Sequence, residues 1–262
     1  MTVEQPLYGG TANRGRVIRI GDTVRRPMRP ASEATHALLR HLEDVGFGAA
    51  PRLLGVDEHG REVLSYIEGE AIVPPYPAWA MTDAALVSVA RLLRDYHDAT
   101  LGFRADLYVW SDAVPRRFRG DRVTTHNDPN LDNVVFRDGR AVALIDFDLA
   151  SPGRRAWDVA CAARLWAPLR SDVDIPDARR GSGIERFRRF VDAYGLQDDE
   201  RALVTDAVAV THDWCYAIVA EGAESGSSEG FADYWWHGGA DRAARTRQWY
   251  ADNDARLRES LG

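Results

Sequence analysis

The chain has 262 residues, 45% of them hydrophobic, and its 40 acidic against 33 basic side chains give a net charge of −7. That balance argues against general nucleic-acid binding, which needs a basic face, and no apolar run approaches membrane-spanning length. Length and composition predict a soluble globular protein with room for two lobes, and the absence of a charged-then-apolar leader predicts a cytoplasmic location.

All 33 cations are arginines, so any positive charge the chain needs must come from a guanidinium. From the N-terminus, Leu7-Tyr8-Gly9-Gly10 leads through Asn13 and Gly15 into a strand at Val17-Ile18-Arg19-Ile20. Gly21-Asp22 is a two-residue turn, and Thr23-Val24-Arg25-Arg26 returns as the second strand. Alternation places Val24 and Arg26 on one face and Arg25 on the other. Pro27 and Pro30 break the strand. Ser32 is placed to cap a helix that carries Leu38, Leu39, Leu42 and Val45 toward a core and stops near Gly46. Two further strands are read in residues 51–56 and 61–67, around the turn Asp57-Glu58-His59-Gly60.

A Pro-rich loop at residues 73–77 precedes a helix beginning at Thr82, with Leu86, Val89, Ala90, Leu93, Tyr96 and His97 on one stripe. His97 at the end of that stripe reads as a packed, hydrogen-bonded core histidine. The richest stretch runs from Thr124 to Ala150. Within it Asp138-Gly139, flanked by apolar runs, signals a two-residue type I′ hairpin. If Arg137 and Arg140 close that turn, Asn133 falls opposite Leu144, and Asn133 and Asp146 emerge at one open end with Asp128 and His126 beside them. A carboxylate, an amide oxygen and a second carboxylate so gathered suit phosphoryl transfer, in which Mg²⁺ takes oxygen ligands and another carboxylate accepts the substrate's hydroxyl proton.

Rival readings of this stretch are weaker. Asp128, Asn130 and Asp132 imitate the start of a calcium loop, but Asn133 replaces its glycine and Gly139 its bidentate glutamate. An Asx-rich turn without chemistry would explain His126-Asn127-Asp128 alone, but not its pairing with Ile145-Asp146-Phe147-Asp148.

His126-Asn127-Asp128, Asn133 at the following offset, and then Ile145-Asp146-Phe147 resemble the aminoglycoside phosphotransferase and choline-kinase-like branch of the kinase fold, tightly over residues 124–158 and loosely elsewhere. The resemblance implies a two-lobed α+β fold: a small antiparallel-sheet lobe, residues 1–68, that binds nucleotide, and a larger, mainly helical lobe, residues 69–262. It implies Asp128 as catalytic base, His126 as the residue orienting its loop, Asn133 and Asp146 as Mg²⁺ ligands, and Asp148 as an auxiliary ligand. Asp158 would brace the catalytic loop from behind. The glycines near residues 9–15 would cover the nucleotide, and backbone groups near Ser65, Tyr66 and Ile67 would meet the adenine edge. Where the family has a phosphate-anchoring lysine, Arg26 stands; a solvated strand-end cation is its competing reading. Its helix partner is either Glu33 or His36. The implied reaction is ATP-dependent phosphorylation of a hydroxyl on a small molecule, with GTP an open alternative as donor.

The last third reads as helices at residues 184–194, 199–220 and 240–261, with an acidic loop at 221–230. Asp213, Trp214, Glu221, Glu224, Trp235 and Trp236 could make an acidic, aromatic-lined acceptor site for an aminoglycoside-like or other cationic molecule, though packing and solubility explain each of them adequately. Cys161 and Cys215, in apolar surroundings without metal spacing, read as buried reduced thiols. The competing functional class is a kinase-like binding or immunity protein that sequesters a ligand without transferring phosphate, motivated by the missing lysine. A metal-dependent hydrolase fits less well, because His126 is the one nearby histidine and a two-metal site needs more ligands.

Overall fold

The computed structural model describes residues 4–7, 16–111, 113–120 and 122–262. The glycine-rich stretch expected to cover the nucleotide, from Tyr8 to Gly15, lies outside the described residues.

The first lobe is an antiparallel sheet and one helix. β1 (Glu4–Pro6), β2 (Ile18–Ile20) and β3 (Thr23–Pro27) precede α1 (Ser32–Asp44), then β4 (Leu53–Val56) and β5 (Arg61–Ser65) complete a sheet of order β1-β2-β3-β5-β4. Leu38, Leu39 and Leu42 of α1 are buried as their spacing predicts, but Val45 is exposed, because the helix ends before it can turn that position inward. Ser32 does not cap the helix. Its hydroxyl instead accepts from the Arg29 N–H at 2.8 Å, fixing the turn before α1.

β6 (Glu70–Ala71) begins the second lobe and is followed by α2 (Asp83–Ala99), whose N-cap is Thr82, its side chain accepting from the Ala85 N–H at 3.2 Å. The six-residue stripe read from the sequence, Leu86 to His97, is wholly buried, and α2 lies against the hairpin described next. That hairpin is β8 (Val134–Arg137) and β9 (Arg140–Leu144); β7 (Val123–Thr125) precedes it and pairs with β10 (Ser151–Gly153). Asp138 and Gly139 have φ of 50° and 72°, the two left-handed residues of a type I′ turn.

One register expectation is corrected. A bulge between Val135 and Phe136 shifts the ladder, so Leu144 pairs with Val134. Asn133 stands opposite Ile145, whose N–H donates to the Asn133 carbonyl at 2.9 Å. The bulge moves Asn133 one step nearer to Asp146 along the hairpin.

α3 (Arg155–Trp166), α4 (Gly183–Tyr194), α5 (Asp198–Glu224), α6 (Glu229–Tyr234) and α7 (Ala240–Leu261) finish the lobe. α3 packs on α5, and α4 on α2. The acidic loop expected at 221–230 is mostly helical: α5 continues to Glu224 and α6 starts at Glu229. The reason is packing. A Cβ on Gly222 would lie 2.5 Å from the Phe231 ring, so the missing side chain lets α6 fold back onto α5. Cys161 is buried and Cys215 half-buried, both as free thiols.

Candidate active site

Two cavities meet at the open end of the hairpin and share Val73 and Asp132. The first, about 350 Å³, lies between the lobes and is lined by Val24, Arg26, Leu64, Ile67, Asn133 and Asp146 among others. The second, about 410 Å³, lies within the helical lobe beyond Asn130 and Asp132.

Asp128 stands between them through its hydrogen bonds. Its carboxylate accepts from the amide of Asn130, which lines the second cavity, and from the Asn133 amide at 2.9 Å, which lines the first. The Asn133 amide also donates to the Asp128 carbonyl at 2.9 Å. With its nitrogen committed there, Asn133 has Oδ1 left for another partner. Burial, and then the charge of Asp146, push the Asp128 carboxyl up to about 7, against the opposing pull of Arg164.

Behind the loop everything is fixed. The Asp158 carboxylate accepts from the N–H groups of His126 and Asn127, each at 2.7 Å, and is held in turn by His97 at 2.9 Å. Burial opposes ionisation of Asp158, but these donors outweigh it and hold its carboxyl below the usual range. His126 is fully buried, so it touches the loop and not the cavity. Its Nε2 donates to the Ile145 carbonyl at 3.0 Å, and its Nδ1 accepts from the Asp128 N–H at 3.3 Å. This requires the neutral tautomer, which burial favours by lowering the ring's pKa. One imidazole thus ties the Asp128 loop to the residue preceding Asp146.

Asn127, to which the sequence reading assigned no role, supports the same turn. It adopts φ 65°, its amide donates to the Leu149 carbonyl and the Ser151 hydroxyl at 2.6 and 2.9 Å, and its Oδ1 accepts from the Trp157 indole at 3.0 Å. Its signal in sequence was only its residue type, since asparagine tolerates left-handed backbone.

Arg26 is buried rather than a solvated strand-end cation. It pairs with Glu62, with Asp146 at 2.6 Å and with Asp148 at 2.8 Å. The carboxylate opposite it is therefore neither α1 candidate: Glu62 sits across from Arg26 in the β3–β5 ladder. His36 reaches the far oxygen of Glu62 at 2.7 Å, a second contact behind the pair, while Glu33 is exposed on the first turn of α1. Glu62 was legible in principle, because alternation puts it on the same face as the buried Leu64.

Ser65, Tyr66 and Ile67 all line the first cavity. The N–H groups of Ser65 and Tyr66 are already committed to the carbonyls of Arg52 and Asp22, at 2.9 and 2.8 Å, whereas the Ile67 N–H has no backbone partner among the described residues. Burial and the Asp146 charge push Asp148 up to about 6, despite Arg26 and Arg29. The neighbouring carboxyls of Asp146 and Asp148, beside the Asn133 amide oxygen, are a donor set that a divalent cation fits. Among the described residues no three His, Cys, Asp or Glu side chains form a metal cage.

The six residues expected to form an acidic acceptor site do not line the second cavity. Asp213 pairs with Arg247 at 3.0 Å on the surface, the Trp214 indole donates to the Ala113 carbonyl, and Trp236 is 63% exposed. The cavity is lined instead by Arg164, Arg170, His212 and the rings of Tyr76, Tyr216 and Tyr250. Those positions lie on separate helices and loops, and no local pattern marks them as neighbours.

A small antiparallel lobe over a helical lobe, with a buried carboxylate, an asparagine and a second carboxylate at the cleft, defines a kinase-like fold. The model of the phosphotransferase enzyme family matches residues 103–202, and a trifolitoxin immunity protein from Rhizobium leguminosarum bv. trifolii is 39% identical over 215 residues, 79% of each chain. The chain belongs to the phosphotransferase enzyme family. Among solved structures, a choline/ethanolamine kinase family protein from Mesorhizobium loti superposes with TM-score 0.66 at 17% identity, covering 99% of this chain and 92% of that one. Choline kinase LicA from Streptococcus pneumoniae gives 0.62 at 15% identity, covering 95% and 93%, and the gentamicin complex of APH(2")-IIa gives 0.61 at 16%, covering 94% and 93%. At these identities the likeness is one of fold.

Proposed function

We propose that the protein transfers the γ-phosphoryl group of a nucleoside triphosphate, ATP or GTP, to a hydroxyl of a small molecule. The observation that carries this reading is the position of Asp128, bonded on one side to a residue of each cavity. The nucleotide would lie in the first cavity, its base against the Ile67 edge and its phosphates toward Arg26, Asn133 and Asp146. The acceptor would lie in the second. The acceptor oxygen bonds to the γ-phosphorus, the bond from that phosphorus to the β,γ-bridging oxygen breaks, and the nucleoside diphosphate leaves with the electron pair. Asp128 takes the hydroxyl proton, a role that a carboxyl pushed up to about 7 can perform near neutral pH.

Asn133 and Asp146, with Asp148 auxiliary, would hold Mg²⁺, which supplies charge neutralisation on the β- and γ-phosphate oxygens. His126 and Asp158 keep the Asp128 loop in place. In an assay of nucleoside diphosphate release, Asp128→Asn is expected to lower turnover at least a hundredfold while nucleotide affinity stays within about threefold. Equal turnover by the two proteins sinks the proposal.

A second reading, sequestration without transfer, is favoured by one observation: Arg26 already pairs with both carboxylates at the metal end. The immunity protein relative points the same way. Under this reading Asp128→Asn leaves any protection of the cell unchanged; under transfer, protection disappears while ligand binding persists.

A further inference from the structure

The second cavity has a charge opposite to the one a cationic acceptor needs. Arg164, 9% exposed, and Arg170 both line it, and Asp132, at the seam with the first cavity, is the one lining carboxylate. Among the described residues neither arginine is ion-paired. Arg164 Nη2 donates to the Cys215 thiol at 3.2 Å and its Nε has no partner. The negative charge it feels is that of Asp128, with which it forms no ion pair, so the cost of desolvating a guanidinium that cannot shed its proton is only partly offset. His212, on the same wall, adds no charge: burial holds its pKa down at about 4.

Two other buried polar atoms without a partner, Asn130 Oδ1 and the Tyr250 hydroxyl, belong to residues lining this cavity. Of the four such atoms among the described residues, only the Tyr96 hydroxyl lies elsewhere. These three atoms are closed off from the space of about 410 Å³ that their residues line, so they mark incomplete hydrogen bonding behind its wall, and the two arginines carry the argument for a ligand.

We infer that the acceptor is an anion: a hydroxylated molecule bearing a carboxylate or phosphate that Arg164 and Arg170 hold, its body against the rings of Tyr76, Tyr216 and Tyr250. This rests on the phosphoryl-transfer reading for the hydroxyl, and on the cavity alone for the negative charge. The hydroxyl end points toward Asn130 and Asp128, and the transfer step is the one written above. A cationic amino alcohol would face two unpaired guanidinium groups, so the cavity selects against it.

The test uses the full chain with MgATP and four acceptors on one three-carbon skeleton: glycerol, 3-amino-1,2-propanediol, glycerate and glycerol 3-phosphate. At least one anion is expected to give kcat/KM tenfold or more above glycerol and the amine, and the carboxylate and phosphate arms tell the two anions apart. Arg164 is buried and its replacement risks the fold, so Arg170→Ala carries the variant arm. It should raise KM for the anion at least tenfold and leave nucleotide affinity within twofold. Calorimetric titration of the same four compounds without nucleotide reads the site independently of chemistry. Anion binding without turnover would support the anionic site and count against phosphoryl transfer. Equal or better use of glycerol or the amine, no anion binding at millimolar concentration, or indifference to Arg170→Ala overturns the inference.

Discussion

Arg26 shows how much a single side chain can be asked to do when the chain has no lysine. Its guanidinium spans Glu62, Asp146 and Asp148, a three-way contact that a single ammonium could not match with the same geometry. Removing it strips a buried Glu62 of its cation, so Arg26→Ala should cost on the order of 3–5 kcal/mol of stability as well as nucleotide affinity. Arg25 sits on the other strand face beside Asp57, and Arg25→Ala should leave both quantities close to wild type. Arg26→Lys separates the two effects: it keeps the charge but loses the fork, so it should fold while binding MgATP differently. Denaturant unfolding and nucleotide titration of the three variants check this, and equal behaviour of the Arg25 and Arg26 alanine variants would refute it.

At the level of elements, the hairpin β8–β9 and the α5–α6 turn each depend on a glycine for a different reason. Gly139 is needed for its left-handed φ of 72°; Gly222 is needed for the space that the Phe231 ring occupies. Gly222→Ala would gain helix propensity but place a methyl group against that ring. Overpacking of this kind costs about 1–3 kcal/mol, more than the roughly 1 kcal/mol that alanine gains over glycine within a helix. The variant should therefore unfold at lower denaturant concentration, and Gly222→Ala combined with Phe231→Ala should recover part of the loss. A Gly222→Ala protein more stable than wild type would show that α6 is free to move away. Cys215, Tyr216 and Val219 on α5 and Phe231 on α6 together form one wall of the second cavity.

For the molecule as a whole, pH acts on groups of opposite sign. His212 is kept neutral in the fold, with Nε2 donating to the Ala243 carbonyl at 3.1 Å, and burial lowers its pKa from 6.5 to about 4. The unfolded chain binds a proton there first, so stability is lost as pH falls from about 6.5 to about 4, by on the order of 1–3 kcal/mol. Asp128 and Asp148, raised to about 7 and about 6, work the other way, because their folded forms bind protons more readily than the unfolded chain. The His212 contribution therefore appears as a difference: His212→Gln should flatten the loss between pH 6.5 and 4 relative to wild type in unfolding curves. An identical pH dependence for the two proteins would remove His212 from the account.

What the sequence by itself determined was local. The type I′ turn, the start of α2 near Thr82, its buried stripe and the grouping of Asp128, Asn133 and Asp146 at the hairpin's open end all follow from local spacing. Tertiary structure decided what depends on elements distant in the chain. Glu62 meets Arg26 only because β5 pairs with β3, and the bulge that brings Asn133 opposite Ile145 is a register shift that no periodicity encodes. The charge of the second cavity arises from α3, α5 and α7 converging on Arg164, Arg170 and their tyrosine neighbours. A sequence orders residues along one dimension; an electrostatic site is set by distances in three, and here those distances replaced an expected acidic pocket with a basic one.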